Sequence, residues 1–296
     1  MKSPLPVIEG VAPSRQTLPA GGWVTVLEFL AERHASVGAE VWAARMLKGE
    51  VVDETGLRLS PSSPYRAGAC VFYYREPGDE TRVPFEEHVL HQDEHLLVAD
   101  KPHFLPVIPS GRFLRETLLV RLKRRTGAGH LVPVHRIDRE TAGVVVFSVE
   151  PATRGAYASL FQRREVSKIY EALAPAADDT LELPVTRRSR IVAGEPFFRM
   201  KEVEGEPNSE TRVALLARAG AESLYEARPV TGRKHQVRLH LAALGIPVVG
   251  DRLYPEVLPP NEPEDFSAPL KLLAKSVSFR DPVTGRERHF ESERKL

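Results

Sequence analysis

Four β-forming apolar residues in a row, Val144-Val145-Val146-Phe147, set directly behind Gly143, constrain this chain more than any other segment. An unbroken apolar run of this length, bounded by a glycine turn, calls for a strand covered on both faces, and so for the middle of a sheet. A strand placed there holds the loop that feeds it in one position. That loop reads His135-Arg136-Ile137-Asp138-Arg139-Glu140-Thr141-Ala142, a carboxylate among two arginines and a histidine. Rigid placement is what a one-residue chemical step requires, and Asp138 is the candidate.

From about residue 90 onward, short apolar runs alternate with single helical patterns and lack the regular strand-helix repeat of a parallel sheet. That order predicts an α+β fold with a mixed, largely antiparallel central sheet. Ahead of it, Thr25 and Glu28 have the spacing of a capping box, and Val26, Leu27, Phe29 and Leu30 supply the apolar face of a short helix. The pattern predicts a second helix over 39–48, stopped by Gly49, then short strands around 51–52, 57–59 and 69–74. The expected organisation is a flexible arm over 1–22, a small α+β module over 23–76, an acidic linker over 77–90 and a catalytic domain over 91–296.

Charge narrows the partner. The formal net charge is only +1, which does not suit a generic polyanion binder. Between Arg112 and Arg139, however, eight Arg and Lys residues face only Glu116 and Asp138, and the compensating acid lies elsewhere. A neutral chain with one basic face suits a selective RNA partner. The single cysteine, Cys70, excludes an internal disulfide, and no apolar leader is evident, so a cytoplasmic location is expected. No run approaches the roughly 18 apolar residues of a membrane span. His235 and His240 lack the spacing of a zinc helix and no Cys pair exists, so no metal is expected. Gly127-Ala128-Gly129 is followed by Val132 where a dinucleotide loop needs its third glycine, and no phosphate-binding G-x-x-x-x-G-K loop occurs. Cofactor-free chemistry is the expectation. A glycosidase would need a second carboxylate, for which Glu140 is the candidate.

A helix over 233–244 puts Val237, Leu241 and Leu244 on its core face and Arg238 at the border of that face. An arginine there is partly desolvated and requires a carboxylate partner.

Four segments, in order, carry a family resemblance. His135 through Gly143 resembles the HRLD-x-x-T-S-G signature of the RluA-type pseudouridine synthases, with Ile137 and Ala142 as variants. His95-Leu96-Leu97-Val98-Ala99-Asp100-Lys101-Pro102 is similar to the family's strand-then-Lys-Pro segment, and Ser167-Lys168-Ile169-Tyr170-Glu171-Ala172 to its K-x-Y-x-A segment. The fourth segment runs from Thr231 to His240 and continues through Gly245-Ile246-Pro247 and Gly250-Asp251-Arg252-Leu253-Tyr254. Leu273 and Ile246 stand where the family often has His, which marks a divergent branch.

The resemblance implies a central sheet divided by a long basic cleft, and a monomeric enzyme that isomerises particular uridines of ribosomal or transfer RNA. Base flipping is implied with it. It makes Asp138 the catalytic aspartate and pairs Arg238 with it. Tyr170 is expected to stack on the target base and assist proton removal. Lys101, Arg136, Lys168 and Arg233 are expected to touch phosphate or the displaced base, with His135 and Gln236 ordering the substrate-binding loops. The small module is similar to the alpha-L RNA-binding motif, although Ser36-Val37-Gly38-Ala39 replaces the usual basic start of its second helix; Arg45 and Lys48 are its candidates for phosphate contact, and the alternative is a structural cap. The alternative from another class is a catalytically silent RNA-binding factor.

Overall fold

The computed structural model describes residues 3–75, 80–178, 180–259 and 264–296. It separates into two units, the described part of Met1–Glu80 together with Gly111–Arg115, and Thr81–Ser110 together with Glu116–Leu296.

In the first unit a three-stranded sheet of β1 (Ser14–Thr17), β2 (Val51–Asp53) and β3 (Cys70–Tyr73) accompanies α1 (Val26–Arg33) and α2 (Ala39–Leu47). The capping box forms as expected: the Glu28 backbone N–H donates to Thr25 Oγ1 at 3.2 Å, and the Val24 N–H donates to the Glu28 carboxylate at 2.8 Å. The arm is only partly an arm. Ser14–Thr17 pairs antiparallel with Cys70–Tyr73, and Leu18 is buried, because the pleat alternates an inward and an outward side chain that composition alone conceals. Arg45 is not a phosphate contact either: it is buried, with its guanidinium 5.1 Å from the Trp42 ring centroid. Lys48 stays exposed. Residues 111–115 join this unit because the Glu80 carboxylate accepts the backbone N–H groups of Leu114 and Arg115. Residues 77–79 of the expected linker lie outside the described residues, and Val83 within it is buried.

The second unit contains β4 (His88–Gln92), β5 (Leu96–Lys101), α3 (Leu118–Thr126), β6 (Val132–Pro133), β7 (Ala142–Ser148), α4 (Arg154–Gln162), β8 (Val166–Pro175), β9 (Val185–Ala193), β10 (Met200–Val203), β11 (Ser209–Ala219), β12 (Glu222–Pro229), α5 (Gln236–Ala243), β13 (Leu272–Arg280) and β14 (Glu287–Glu291). One sheet runs in the order β10-β9-β11-β12-β8-β13-β7-β5-β4, with β14 on β13 and β6 on β7. Every pairing is antiparallel except β13 with β7, so the α+β, largely antiparallel class is as expected.

The apolar run is explained by two coverings. Leu97, Ala99, Val145 and Phe147 pack with Leu118 and Leu122 of α3, whereas Leu96, Val98, Val144 and Val146 pack with Tyr157 and Leu160 of α4. Alternate residues along Leu96–Ala99 and Val144–Phe147 therefore face opposite apolar layers. A third cluster joins Val237 and Leu241 of α5 to Ala172, Val213 and Tyr225.

β7 and β13 pair only at Leu273 with Ala142 and Ala274 with Gly143. In the same row Ala274 faces Tyr170 of β8. Gly143 permits this approach: it sits at φ +116°, and a Cβ built on it would lie 2.2 Å from the Ala274 carbonyl oxygen. Gly143→Ala is expected to destabilise the protein by roughly 2 kcal/mol, read as a lower urea midpoint at unchanged slope, since the clash is with backbone that cannot rotate away. A midpoint equal to the parent's would refute this account of the row.

Candidate active site

The row Tyr170–Ala274–Gly143 brings the loop ahead of β7 close to β8. Two side chains from the end of β5 and the residues after it pin that loop by its carbonyls. Lys101, fully buried, donates from Nζ to the carbonyls of Pro102, Leu105 and Arg139 at 2.9, 2.8 and 2.9 Å, and His103 Nδ1 donates to the Glu140 carbonyl at 2.6 Å. Burial pulls the Lys101 ammonium down to about 7, opposed by the charges of Glu140 and Asp138. Lys101 is therefore a loop anchor and not the phosphate contact expected from the sequence. A lysine next to a proline reads as a surface residue; the oxygens that enclose this one come partly from a loop far away in sequence.

Asp138 lies on the wall of a cavity of about 890 Å³, within the size range of small-molecule sites. Its side chain is 22% exposed, so it is reachable from the cavity without being solvated freely. Arg238 Nη1 stands 3.4 Å from Asp138 Oδ2, and His235 Nε2 stands 3.8 Å from Oδ1. The stronger partner of Arg238 is one to which the sequence reading assigned no role. Asp251 accepts Nε at 2.7 Å and Nη2 at 2.6 Å, a bidentate pair in which both side chains are almost wholly buried. Burial opposes the Arg238 charge, but Asp251 first, then Asp138 and Glu140, more than offset it, and its pKa lies above the ordinary arginine value. Asp251 Oδ1 also accepts the backbone N–H groups of Leu253 and Tyr254 at 2.8 and 3.1 Å. The signal was present in Gly250-Asp251-Arg252-Leu253-Tyr254, but its partner could not be read from spacing.

His235 precedes α5 in the left-handed conformation, φ 56° and ψ 16°, and shares a 3.0 Å hydrogen bond from Nδ1 with the Tyr254 hydroxyl. Burial lowers its pKa below that of a free histidine. Gln236 does not present its amide to a ligand. Its Oε1 accepts the Thr231 hydroxyl at 2.6 Å and the Arg233 N–H at 3.0 Å, while Nε2 donates to the Glu210 carbonyl and Thr211 Oγ1, both at 2.9 Å. It shapes the turn that carries Arg233. His135 lines the cavity, but its Nε2 accepts the Val146 N–H at 3.2 Å and its ring stacks on Phe161 at 4.6 Å. It, too, orders the loop.

Tyr170 lines the cavity from β8. Burial, with the nearby Asp138 charge, holds its phenol pKa above the ordinary tyrosine value. A phenol so held keeps its proton at neutral pH in the free protein. Lys168 also lines the cavity and donates to the Thr231 carbonyl at 3.1 Å; burial lowers it to about 8. Arg136, Arg164, Arg233 and Lys234 are exposed cations among the lining residues. The basic stretch 112–139 is divided rather than continuous: Arg121 is 12% exposed and pairs with Glu87 and Glu116, and Arg125 also pairs with Glu87.

Among the described residues, no group of three or more His, Cys, Asp or Glu side chains is arranged to hold a metal ion. No helix among them is long and apolar enough to cross a membrane.

Four buried histidines, His103, His135, His235 and His240, tie this unit's folding to pH. Burial lowers His103 and His240 to about 4 and His135 to about 3. Their folded pKa values lie below the unfolded value, so the unfolded chain binds more protons in this range. Stability is then fully present above about pH 6.5 and falls as pH drops toward 4. Lys168 is protonated in both states over that window; Lys101, held down to about 7, loses its proton in the folded state between there and pH 7.5 and adds to the fall on acidification. The urea midpoint at pH 5 is expected to fall below that at pH 7.5; an equal or higher midpoint would contradict this assignment.

The model of a family described as RNA pseudouridylate synthase matches residues 95–243. Over 235 residues the chain is 32% identical to an uncharacterized RNA pseudouridine synthase of Synechocystis sp., covering 77% of this chain and 79% of that one. It is 28% identical over 229 residues to the dual-specificity RNA pseudouridine synthase RluA of Haemophilus influenzae, covering 72% and 96%. Among solved structures, human RNA pseudouridylate synthase domain containing 1 superposes with a TM-score of 0.58 over 74% of this chain and 86% of that one; at 24% identity that likeness bears on the fold alone.

Proposed function

Since this chain belongs to the RNA pseudouridylate synthase family, on its RluA-type branch, and is an RNA isomerase, we propose that it converts specific uridines in structured ribosomal or transfer RNA to pseudouridine by an Asp138-dependent, cofactor-free route. The observation that carries the reading is the cavity in which Asp138 stands 3.4 Å from the buried Arg238, with Tyr170 on the same wall.

The reaction breaks the bond between N1 of uracil and C1′ of ribose and joins C1′ to C5; C5 loses a proton and N1 gains one. Atoms and electrons balance without a redox partner. Asp138 supplies the electron pair that bonds to or stabilises the electron-poor carbon, on the ring or on the ribose. Arg238, itself fixed by Asp251, orients the carboxylate. Tyr170 covers one face of the base and donates from its hydroxyl. Lys168, Arg136 and Arg233 hold the flanking phosphates. A uridine stacked in a helix cannot reach Asp138 inside the cavity, so the base turns out of its stack first.

Pseudouridine mapping of total ribosomal and transfer RNA, comparing cells that carry the parent protein with cells that carry Asp138→Asn, tests the reading. Loss of one or a few sites is the expected result and names the target. An unchanged map, with the variant expressed and RNA-bound, would favour a silent binding factor.

A further inference from the structure

Two aromatic side chains beside the cavity serve no core. Phe197 is 89% exposed and Phe198 36% exposed, at the tip of the connection between β9 and β10. Their rings are 5.4 Å apart and inclined at 76°. The tip is an ordered turn: the Gly194 N–H donates to the Arg199 carbonyl at 2.9 Å, and the Arg199 N–H donates to the Pro196 carbonyl at 2.8 Å.

Its base is fastened to the catalytic cluster. The Met200 N–H donates to the Tyr254 hydroxyl at 2.8 Å, and that hydroxyl lies 3.2 Å from the Met200 carbonyl and 3.0 Å from His235 Nδ1. Lys234 Nζ donates to the Phe198 carbonyl at 2.8 Å, and the Arg199 guanidinium lies 5.1 Å from the Tyr254 ring centroid. Phe198 lines the same cavity as Asp138; Phe197 stands outside it. Two phenyl rings are thus held in water at a fixed place, against the hydrophobic effect, at the rim of a site ringed by Arg136, Arg164, Arg233 and Lys234.

We propose that Phe197 and Phe198 form a stacking platform for an unpaired nucleobase next to the target uridine. This rests on the reading of the cavity as an RNA site. The occupant follows from the two kinds of group present: the cations attract phosphate, and the exposed ring faces accept the π-face of a base. The immediate neighbours Glu195, Arg199, Lys201 and Glu202 are charged, so the pair does not sit in an apolar field of the kind that a membrane or a protein core would cover. Every base has a π-face, so the platform discriminates unpaired from paired nucleotides rather than one base from another. Its fixed link to Tyr254 and His235 sets the separation between the stacked base and Asp138, which makes the pair a register device.

The test is binding, at one fixed salt concentration, of a labelled oligouridine strand of about twelve nucleotides and of an RNA duplex of similar length. The double variant Phe197→Ala with Phe198→Ala is expected to lose about tenfold in affinity for the single strand and to bind the duplex as before. The paired Tyr substitutions are expected to keep single-strand affinity. No loss on the single strand, or an equal loss on both probes, would overturn the proposal. A second variant, Phe197→Trp, lies on an exposed residue that the fold does not need; its indole fluorescence is expected to be quenched by oligouridine and not by the duplex, and an unquenched indole would also overturn it. The parent reading fails separately: a protein with this single-strand preference that isomerises no cellular uridine keeps the platform and loses the isomerase assignment.

Discussion

Asp138→Asn is expected to reduce isomerisation by at least about 10⁴-fold while leaving the folded protein and its affinity for RNA close to the parent's. The substitution is isosteric and removes only the charge and one acceptor oxygen. Structurally little depends on that oxygen: Arg238 is 3.4 Å away and already holds Asp251 through two shorter bonds. Chemically everything depends on it, since a neutral amide does not supply an electron pair to a sugar or ring carbon. Because C5 loses its hydrogen in the reaction, tritium release from RNA labelled at uridine C5 measures turnover directly. Release at the parent's rate would remove Asp138 from the mechanism; a fall accompanied by unfolding would be excluded by an unchanged denaturation midpoint.

The second large effect is on stability. Asp251→Ala is expected to cost about 3–5 kcal/mol, because it strands a guanidinium whose side chain is 2% exposed. For a unit of this size that corresponds to a fall in melting temperature of roughly 10 °C. The backbone N–H groups of Leu253 and Tyr254 lose their acceptor as well. Asp251→Asn retains one acceptor oxygen and should fall between the two. Activity should drop in both variants, since the guanidinium that faces Asp138 loses the group that orients it. A melting temperature within about 2 °C of the parent's for Asp251→Ala would show that the Arg238 charge is satisfied elsewhere.

Where the physics is local, the sequence was readable. The Val144–Phe147 run, the Thr25 cap and the Val237–Leu241 face each depend on neighbours within a few positions, and each stands where the pattern put it. The neighbourhood of Asp138 and Arg238 was accessible through motif order. What was not readable depends on groups distant in the chain. Lys101 is enclosed by oxygens that include the Arg139 carbonyl, Arg45 lies against Trp42, and β1 is held by its pairing with β3. Asp251 lay in plain view, but nothing in its spacing says that it, rather than Asp138, takes the bidentate face of Arg238. Gln236 and His135 carry polar atoms next to the cavity and are nonetheless committed to the backbone around them.

β13 lies between β7 and β8 in the sheet, although it follows both in the chain. A ribosome that has produced every residue up to Pro269 has therefore made Asp138, Tyr170 and Arg238 and still has no strand to set between the first two. The row that sets the Asp138 loop beside Tyr170 is therefore complete only when β13 has joined both neighbours.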